Sequence, residues 1–554
     1  MDPRPEGLLG DDVTTINTAD RISELSGRCP SDPNGRAQTL SYFILTVLGF
    51  SFWFFMVVPF ASHRETYSWL AGVDTQAFAQ QFSFGQTSTY RPLAQIATWL
   101  GFRFLDPRVF PTSVLRQALL QGFVYAMFAL AWWFIYSAAP QRRLFAMVAC
   151  VAGGVFFSGY VQLFHIYGLF YVPVVLTLGA LLGFHASGTF GKREVWFAVV
   201  ATVLVFWHPF ATALFVGFYF GFCLDTFRRR SRLQHVQSLV ILFVGMAAIA
   251  AMVVIFPRTH MPLDTKLFGF LVSYQTNEVN RVASFVAFLL TLLVIFSMGL
   301  SPRLRLAAIL FASALSVVFL LKSLPLLFLW LFAVLIKLFR LRCWSLFFLA
   351  LTAALLPFGG GIGTPIYALF AIIVAVYVTP LGWSQAEQAL SFFKPRYVVG
   401  ALVASAIVIL LVRVGIQVPI VTRVASPLLA ERERTYQLEN ILAWLHNSDY
   451  CGYDIAFDQN AGSPIEDVES AITRRNRPPA ALDDVQLFWK TVLQCQKAGR
   501  SNDNEESATV TFGEPALANF QPVFAVKSRY AGDAVVWIRD SQAITPFPSI
   551  VSGR

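Results

Sequence analysis

The sequence predicts a polytopic α-helical membrane protein with a small α+β domain at its C-terminal end. Three observations carry this. The 554-residue chain is 56% hydrophobic and only 13% charged, with a mean hydropathy of +0.59, where a soluble chain carries roughly a quarter charged residues. Many uncharged windows reach about 20 residues, the length that crosses about 30 Å of hydrocarbon. The apolar runs are continuous rather than alternating, which excludes a transmembrane β-barrel.

Residues 1–38 are polar, mixed in charge and rich in Asp, Pro, Gly and Thr. They read as a disordered tail without a secretory signal. The first span is Thr39 to Phe60, followed by a polar loop, 61–112. A second span, Ser113 to Ala138, ends at Gln141-Arg142-Arg143. Leu144 to Tyr160 turns at Gln162–Tyr167 and returns through Val172 to Phe184, reaching Lys192-Arg193.

Val195 to Phe227 is longer than one crossing needs and has basic residues at both ends. It reads as two short spans turning at Trp207-His208-Pro209, because proline removes a helix bond and disfavours helix at the residue before it. Val236 to Phe256 leads to a second polar loop, 257–281. Val282–Leu300, Leu306–Leu321, Leu326–Phe339, Trp344–Pro357, Ile366–Pro380 and Val398–Ile416 complete about thirteen spans.

With that count, every basic cluster falls on one side: Arg142-Arg143, Lys192-Arg193, Arg228 to Arg232, Arg303 with Arg305, Lys337 to Arg342, and Lys394 with Arg396. The net charge of +10 is thus read as the positive-inside signal, not as a nucleic-acid surface. The N-terminus is then cytoplasmic, and loops 61–112 and 257–281 and residues 417–554 lie on the outer face.

The C-terminal segment, 417–554, is charged. Thr435 to His446 has helical spacing at Leu438, Ile441, Leu442 and Leu445, while Ala508–Phe512 and Ala534–Ile538 read as strands. Cys150, Cys223 and Cys343 read as small core residues. Cys451 and Cys495 could form a disulfide if this segment is outside.

Several function classes leave no signature. There is no Walker A, no G-x-G-x-x-G after a strand, no H-E-x-x-H and no C-x-x-C. Gly359–Gly363 joins two apolar spans and reads as a tight outer turn. The spans hold almost no ionisable residues, and Arg116, Asp225 and Arg413 lie near their ends, whereas an ion or proton route would place such groups inside. The outer loops collect acids and bases together, which points to chemistry at the outer interface.

Loop 61–112 carries Thr89-Tyr90-Arg91-Pro92-Leu93, an amphipathic stretch to Phe104, and Asp106-Pro107-Arg108-Val109-Phe110. This pattern resembles a segment of polytopic glycosyltransferases of the GT-C class. It is nearest the branch of O-mannosyltransferases with tetratricopeptide repeats and their bacterial relatives. The odd number of spans, the large first outer loop and the outer C-terminal domain are also similar.

The resemblance implies transfer of a sugar from a polyprenyl-phosphate carrier to a glycan, lipid or protein acceptor, on the periplasmic face of a bacterial inner membrane. It also implies a general base in the first outer loop, usually an Asp or an Asp pair. Here that place reads Ser62-His63-Arg64-Glu65-Thr66-Tyr67. Glu65 is the positional match and Asp74 the nearest aspartate. Cations for the donor phosphate would come from Arg91, Arg258, His260, Lys266 and Lys322. Arg281, at a span end, reads as an interfacial anchor. Tyr90, His165 and His208 are candidate substrate contacts, and each histidine can equally be a structural hydrogen-bonding residue. A divalent cation would fit only if Glu65, Asp74 or Asp264 converge, and none is required by the spacing. A flippase or permease for lipid-linked sugars, and a polymerase or ligase using a diphosphate-linked oligosaccharide, are the alternatives.

Overall fold

The computed structural model describes residues 40–41, 43, 92–94, 96–97, 100, 113–139, 141–156, 167–187, 193–255, 278–322, 327–356, 364–383, 437, 440–441, 444–445, 448, 454–457, 507–512, 520–528, 532–539 and 549–552. The described residues are mostly helical and include one small sheet. In order, the helices are α1 (Ser113–Ala138), α2 (Arg142–Phe156), α3 (Tyr167–Ser187), α4 (Glu194–Val203), α5 (Pro209–Thr226), α6 (Arg232–Ile255), α7 (Glu278–Phe296), α8 (Pro302–Lys322), α9 (Leu327–Arg340), α10 (Trp344–Leu355) and α11 (Thr364–Val378). Short 3₁₀ turns follow α4, at Leu204–Phe206, and α5, at Phe227–Arg229.

Among the described residues, three stretches are long and apolar enough to cross a membrane: Leu169–Ala186, Pro209–Arg229 and Arg232–Met252. Ala126–Ala138, Glu194–Phe206, Ser284–Phe296, Trp344–Leu355 and Leu369–Val378 are shorter apolar helices. The first span, Thr39 to Phe60, and the last, Val398–Ile416, lie almost wholly outside the described residues. Tyr167, expected in a turn, is the first residue of α3.

The long apolar stretch after Lys192 does fold back on itself at Trp207-His208-Pro209. Tyr219 donates to Glu194, and the Thr212 hydroxyl donates to Ala201 O at 2.7 Å. These pairs fix α4 antiparallel to α5. Pro209 takes the first position of α5, where its missing N–H costs no helix bond. The first arm, ten α residues and a 3₁₀ turn, rises only about 20 Å.

Small residues set the closest helix approaches. A side chain at Gly221 would collide with Trp344 O and stand 2.6 Å from Ser345 Cα, and one at Gly217 would meet Thr352 Oγ1 and Phe348 O. The pair forms a G-x-x-x-G ridge on α5 that lets the α10 backbone approach. Gly179 does the same for α3 against α1, since a Cβ there would sit 2.9 Å from Ala131 O. The core lies around α11, where Leu369 to Val378 are buried on every side, as expected of a helix apolar all round.

Polar contacts gather the helix ends at one end of the bundle. The Tyr377 hydroxyl near the end of α11 lies 3.5 Å from both Ala138 O, at the end of α1, and His185 Nδ1 in the last turn of α3. His185 Nε2 is 3.2 Å from Cys343 Sγ, just before α10. Asp225 accepts the Trp344 and Ser345 amide protons, each at 2.9 Å. Arg230 pairs with Glu194 at 3.0 Å.

Lys337 corrects the sequence reading. It was expected in an inner basic loop, but it lies in the last turn of α9 and is fully buried. Its ammonium donates to Ser297 Oγ at 2.6 Å, Val378 O at 3.2 Å and Thr379 O at 3.0 Å. Three acceptors match its three protons, and the carbonyls belong to the negative end of α11. Together these contacts put the ends of α1, α3, α5, α7, α9 and α11 beside the starts of α4 and α10.

The sheet has five strands: β1 (Asp454–Phe457), β2 (Ser507–Phe512), β3 (Phe520–Lys527), β4 (Ala534–Arg539) and β5 (Ser549–Ser552), in the order β1-β2-β4-β3-β5. The outer pairs are parallel and the inner pairs antiparallel, with Val510 opposite Val536. Both strands read from the sequence are present. Ala508, Val510, Ala534, Val536, Phe524 and Val526 alternate as buried positions. Gln437, Asn440, Ile441, Trp444 and Leu445 are helical as expected. Trp444 stacks on Phe524 with ring centroids 4.7 Å apart, and Gln437 donates to Val526 O and Gly532 O at 3.0 and 2.7 Å. Cys451 and Cys495 lie outside the described residues.

Two predictions follow from this packing. Gly221→Ala should destabilise the purified chain by about 1–3 kcal/mol or more through overpacking. Gly183→Ala, where a Cβ meets nothing within 4 Å, should be neutral or gain up to about 1 kcal/mol of helix propensity. Thermal unfolding in detergent distinguishes the two, and equal melting would refute the close α5–α10 approach. Separately, burial pushes the Cys343 thiol up to about 12, so almost no thiolate exists near neutral pH. Iodoacetamide at pH 8 should leave Cys343 unlabelled in the folded chain and label it after denaturation, as read by peptide mass spectrometry.

Candidate functional site

The hairpin tip at His208 lies at the end of the bundle opposite the gathered polar contacts. Its geometry begins with a proline. Pro173 sits inside α3 and has no N–H, so the carbonyl of Leu169, four residues earlier, loses its intrahelical donor. The Trp207 indole N–H supplies the replacement, at 3.2 Å from Leu169 O. A sequence-level irregularity in α3 thus fixes where the α4–α5 tip docks.

His208 follows in extended conformation, φ −153°, ψ 118°, and is the N-cap of α5. Its Nδ1 accepts the Phe210 amide proton at 3.3 Å, which places the ring proton of the neutral imidazole on Nε2. The side chain is buried. Its ring lies 5.1 Å from Tyr171 and 4.7 Å from Phe210, and Tyr171 is 6.2 Å from Phe370 in α11. Three elements therefore meet here: the tip, the first turns of α3 and the first half of α11. In sequence, α3 begins two positions after His165 and α11 begins just after Gly363.

Among these described contacts no side chain carries a full charge. The corner can pack rings and hold an imidazole in one tautomer, and by itself it supplies no cation for a phosphate. Sequence reasoning found the Trp207-His208-Pro209 tip but missed Tyr171, Phe370 and Leu169. The readable signal was Pro173, which marks a carbonyl that needs an outside donor.

Of the other site residues, Glu65, Asp74, Tyr90, Arg91, His165, Arg258, His260 and Lys266 lie outside the described residues, as does Asp264. Lys322 is the last residue of α8, and Arg281 lies in the first turn of α7. Immediately after Arg91, residues Pro92, Leu93, Ala94, Ile96, Ala97 and Leu100 are helical. Ala94 is fully buried within the main core, and Leu100 is exposed. Among the described residues no group of three His, Cys, Asp or Glu side chains could hold a metal ion.

Comparison with protein-family models, with curated proteins and with solved structures gives no match to this chain.

The proline–indole relation is testable by a double-mutant cycle. Trp207→Phe should cost about 1–3 kcal/mol, because it strands the buried Leu169 carbonyl. In a Pro173→Ala background the restored amide at 173 satisfies that carbonyl, and the same substitution should cost clearly less. Equal costs in both backgrounds, measured by chemical or thermal unfolding, would break the link.

Proposed function

We propose that this chain is an inverting glycosyltransferase of the GT-C type, with about thirteen spans, in the plasma membrane of a bacterium. It moves a sugar from a polyprenyl-phosphate carrier to a glycan, lipid or protein acceptor on the periplasmic face. The observation that carries this reading is the loop 61–112, with Thr89-Tyr90-Arg91-Pro92-Leu93 ahead of an amphipathic stretch and Asp106-Pro107. Two findings support it. The described residues of the stretch that follows Arg91 in sequence are helical, with Ala94 docked in the core. The starts of α2, α4, α6 and α8, with their arginines, all lie at the end of the bundle away from the His208 corner, which leaves the other end for chemistry.

In the proposed reaction, Glu65 or Asp74 takes the proton of an acceptor hydroxyl. The acceptor oxygen bonds to the anomeric carbon as the bond from that carbon to the phosphate oxygen breaks. The electron pair leaves with the polyprenyl phosphate, whose growing charge is met by cations drawn from Arg91, Arg258, His260, Lys266 and Lys322. Tyr90 and His165 contact the sugar or acceptor. His208 acts from within the corner, holding the tip of α4 and α5 in place.

The test is sugar transfer by the purified chain from a polyprenyl-phosphate sugar, compared with Glu65→Gln and Asp74→Asn. Loss of the base should lower turnover by about 10²–10⁴-fold while melting is unchanged. Full transfer by both variants would remove these acids from the mechanism. Transfer only from diphosphate-linked donors would make the chain a polymerase or ligase, and lipid movement without transfer would make it a flippase.

A further inference from the structure

The Glu194–Arg230 contact builds a feature unrelated to sugar transfer. Arg230 is held on several sides. It pairs with Glu194 at 3.0 Å, its Nε donates to Thr226 Oγ1 at 2.9 Å, it also donates to Ser238, and its guanidinium lies 5.0 Å from the Phe222 ring. The Ser231–Gln234 capping box then starts α6, with Ser231 N donating to Gln234 Oε1 at 2.9 Å. This rigid corner brings the start of α4 beside the junction of α5 and α6. Arg193, Arg228, Arg229 and Arg232 converge there, and all four are exposed. The acids on these elements are already engaged, Glu194 by Arg230 and Asp225 by the amides of α10.

The surface beside these arginines is apolar and open. Trp196 is 74% exposed and Leu233 78% exposed, each within the first turns of its helix. α4 packs against α6, and both run away from the arginines in the same direction. Only 22% of the Arg232–Met252 window is buried in the protein. A ligand that matches both halves has an anionic head and long apolar chains. Free phosphate would use the arginines and leave the apolar wall unmatched.

We infer that Arg193, Arg228, Arg229 and Arg232, with Trp196 and Leu233, form a binding site for the headgroup and upper acyl chains of an anionic phospholipid. A basic cluster at the membrane-facing start of two helices attracts such lipids, each arginine contributing about fivefold in affinity. This holds whichever sugar chemistry the opposite end performs.

The experiment is native mass spectrometry of the full chain in mild detergent, with phosphatidylglycerol or phosphatidylcholine of identical acyl chains. Phosphatidylglycerol should be retained at least about tenfold better. The triple variant Arg228→Gln/Arg229→Gln/Arg232→Gln should lose that preference, and Arg303→Gln/Arg340→Gln, equally exposed but elsewhere, should keep it. Trp196→Ser retains the arginines and should lower retention several-fold, so it decides the matter if the triple variant does not fold. Equal retention of the two lipids, an unaffected triple or Trp196→Ser variant, or full displacement of phosphatidylglycerol by equimolar inorganic phosphate would each overturn the site.

Discussion

One carboxylate holds the bundle's tightest seam together. Asp225, near the end of α5, accepts the first two amides of α10. A helix start leaves its first N–H groups without partners and carries partial positive charge. Cys343, at the cap position, makes no side-chain cap bond, so the cap comes from another helix. That reach is permitted by Gly217 and Gly221, which lie on the same face as Asp225 at intervals of four. Without a side chain at 221 the two backbones touch, and the carboxylate then meets the amides. The two amide protons offset part of the hydration that the carboxylate loses on burial.

From this seam the rest of the arrangement follows. α5 is paired on one side with α10 and on another with its own hairpin partner α4, through Tyr219, Glu194 and Thr212. Its junction with α6 is fixed by Arg230. α10 in turn leads through Cys343 and His185 to Tyr377 and the central helix α11. Lys337 closes the other flank by holding α7 and α9 to the end of α11. Because its acceptors come from the end of α11 and from Ser297 just after α7, this contact ties the register of three helices together.

The hydrophobic run lengths made the helical class legible, and Pro209 with its flanking arginines made the α4–α5 turn legible. Strands β2 and β4 were readable because alternation over five or six residues needs little tertiary context. Lys337 was misread because a lysine beside Arg340 and Arg342 is indistinguishable by charge from a loop residue. Its burial depends on Ser297 and Thr379, about 40 positions away in either direction. Asp225 likewise looked like a span-end charge, since its partners lie more than 100 positions on. Apart from Lys322 at the end of α8, the acids and cations proposed for sugar transfer stand in loops 61–112 and 257–281, where no periodicity fixes mutual position. Sequence could therefore nominate them but not assemble them.

The two ends of the bundle differ in kind, and that difference bears on how the protein works. At the arginine-bearing end, buried polar groups have polar partners: Glu194 with Arg230, Asp225 with amides, Lys337 with carbonyls. Such pairing resists rearrangement, because opening any one of them leaves a buried group without its partner. Among the described residues, the contacts at the His208 end include ring faces, an indole N–H and a helix cap. Ring pairs add only about 0.5–1.5 kcal/mol each beyond their buried area, whereas the polar contacts at the other end keep the helices in register. In the proposed sugar transfer, a lipid-linked donor would have to enter sideways from the bilayer and leave again as its product. Polar contacts that hold the helices in register at the arginine-bearing end would leave that passage to the opposite end.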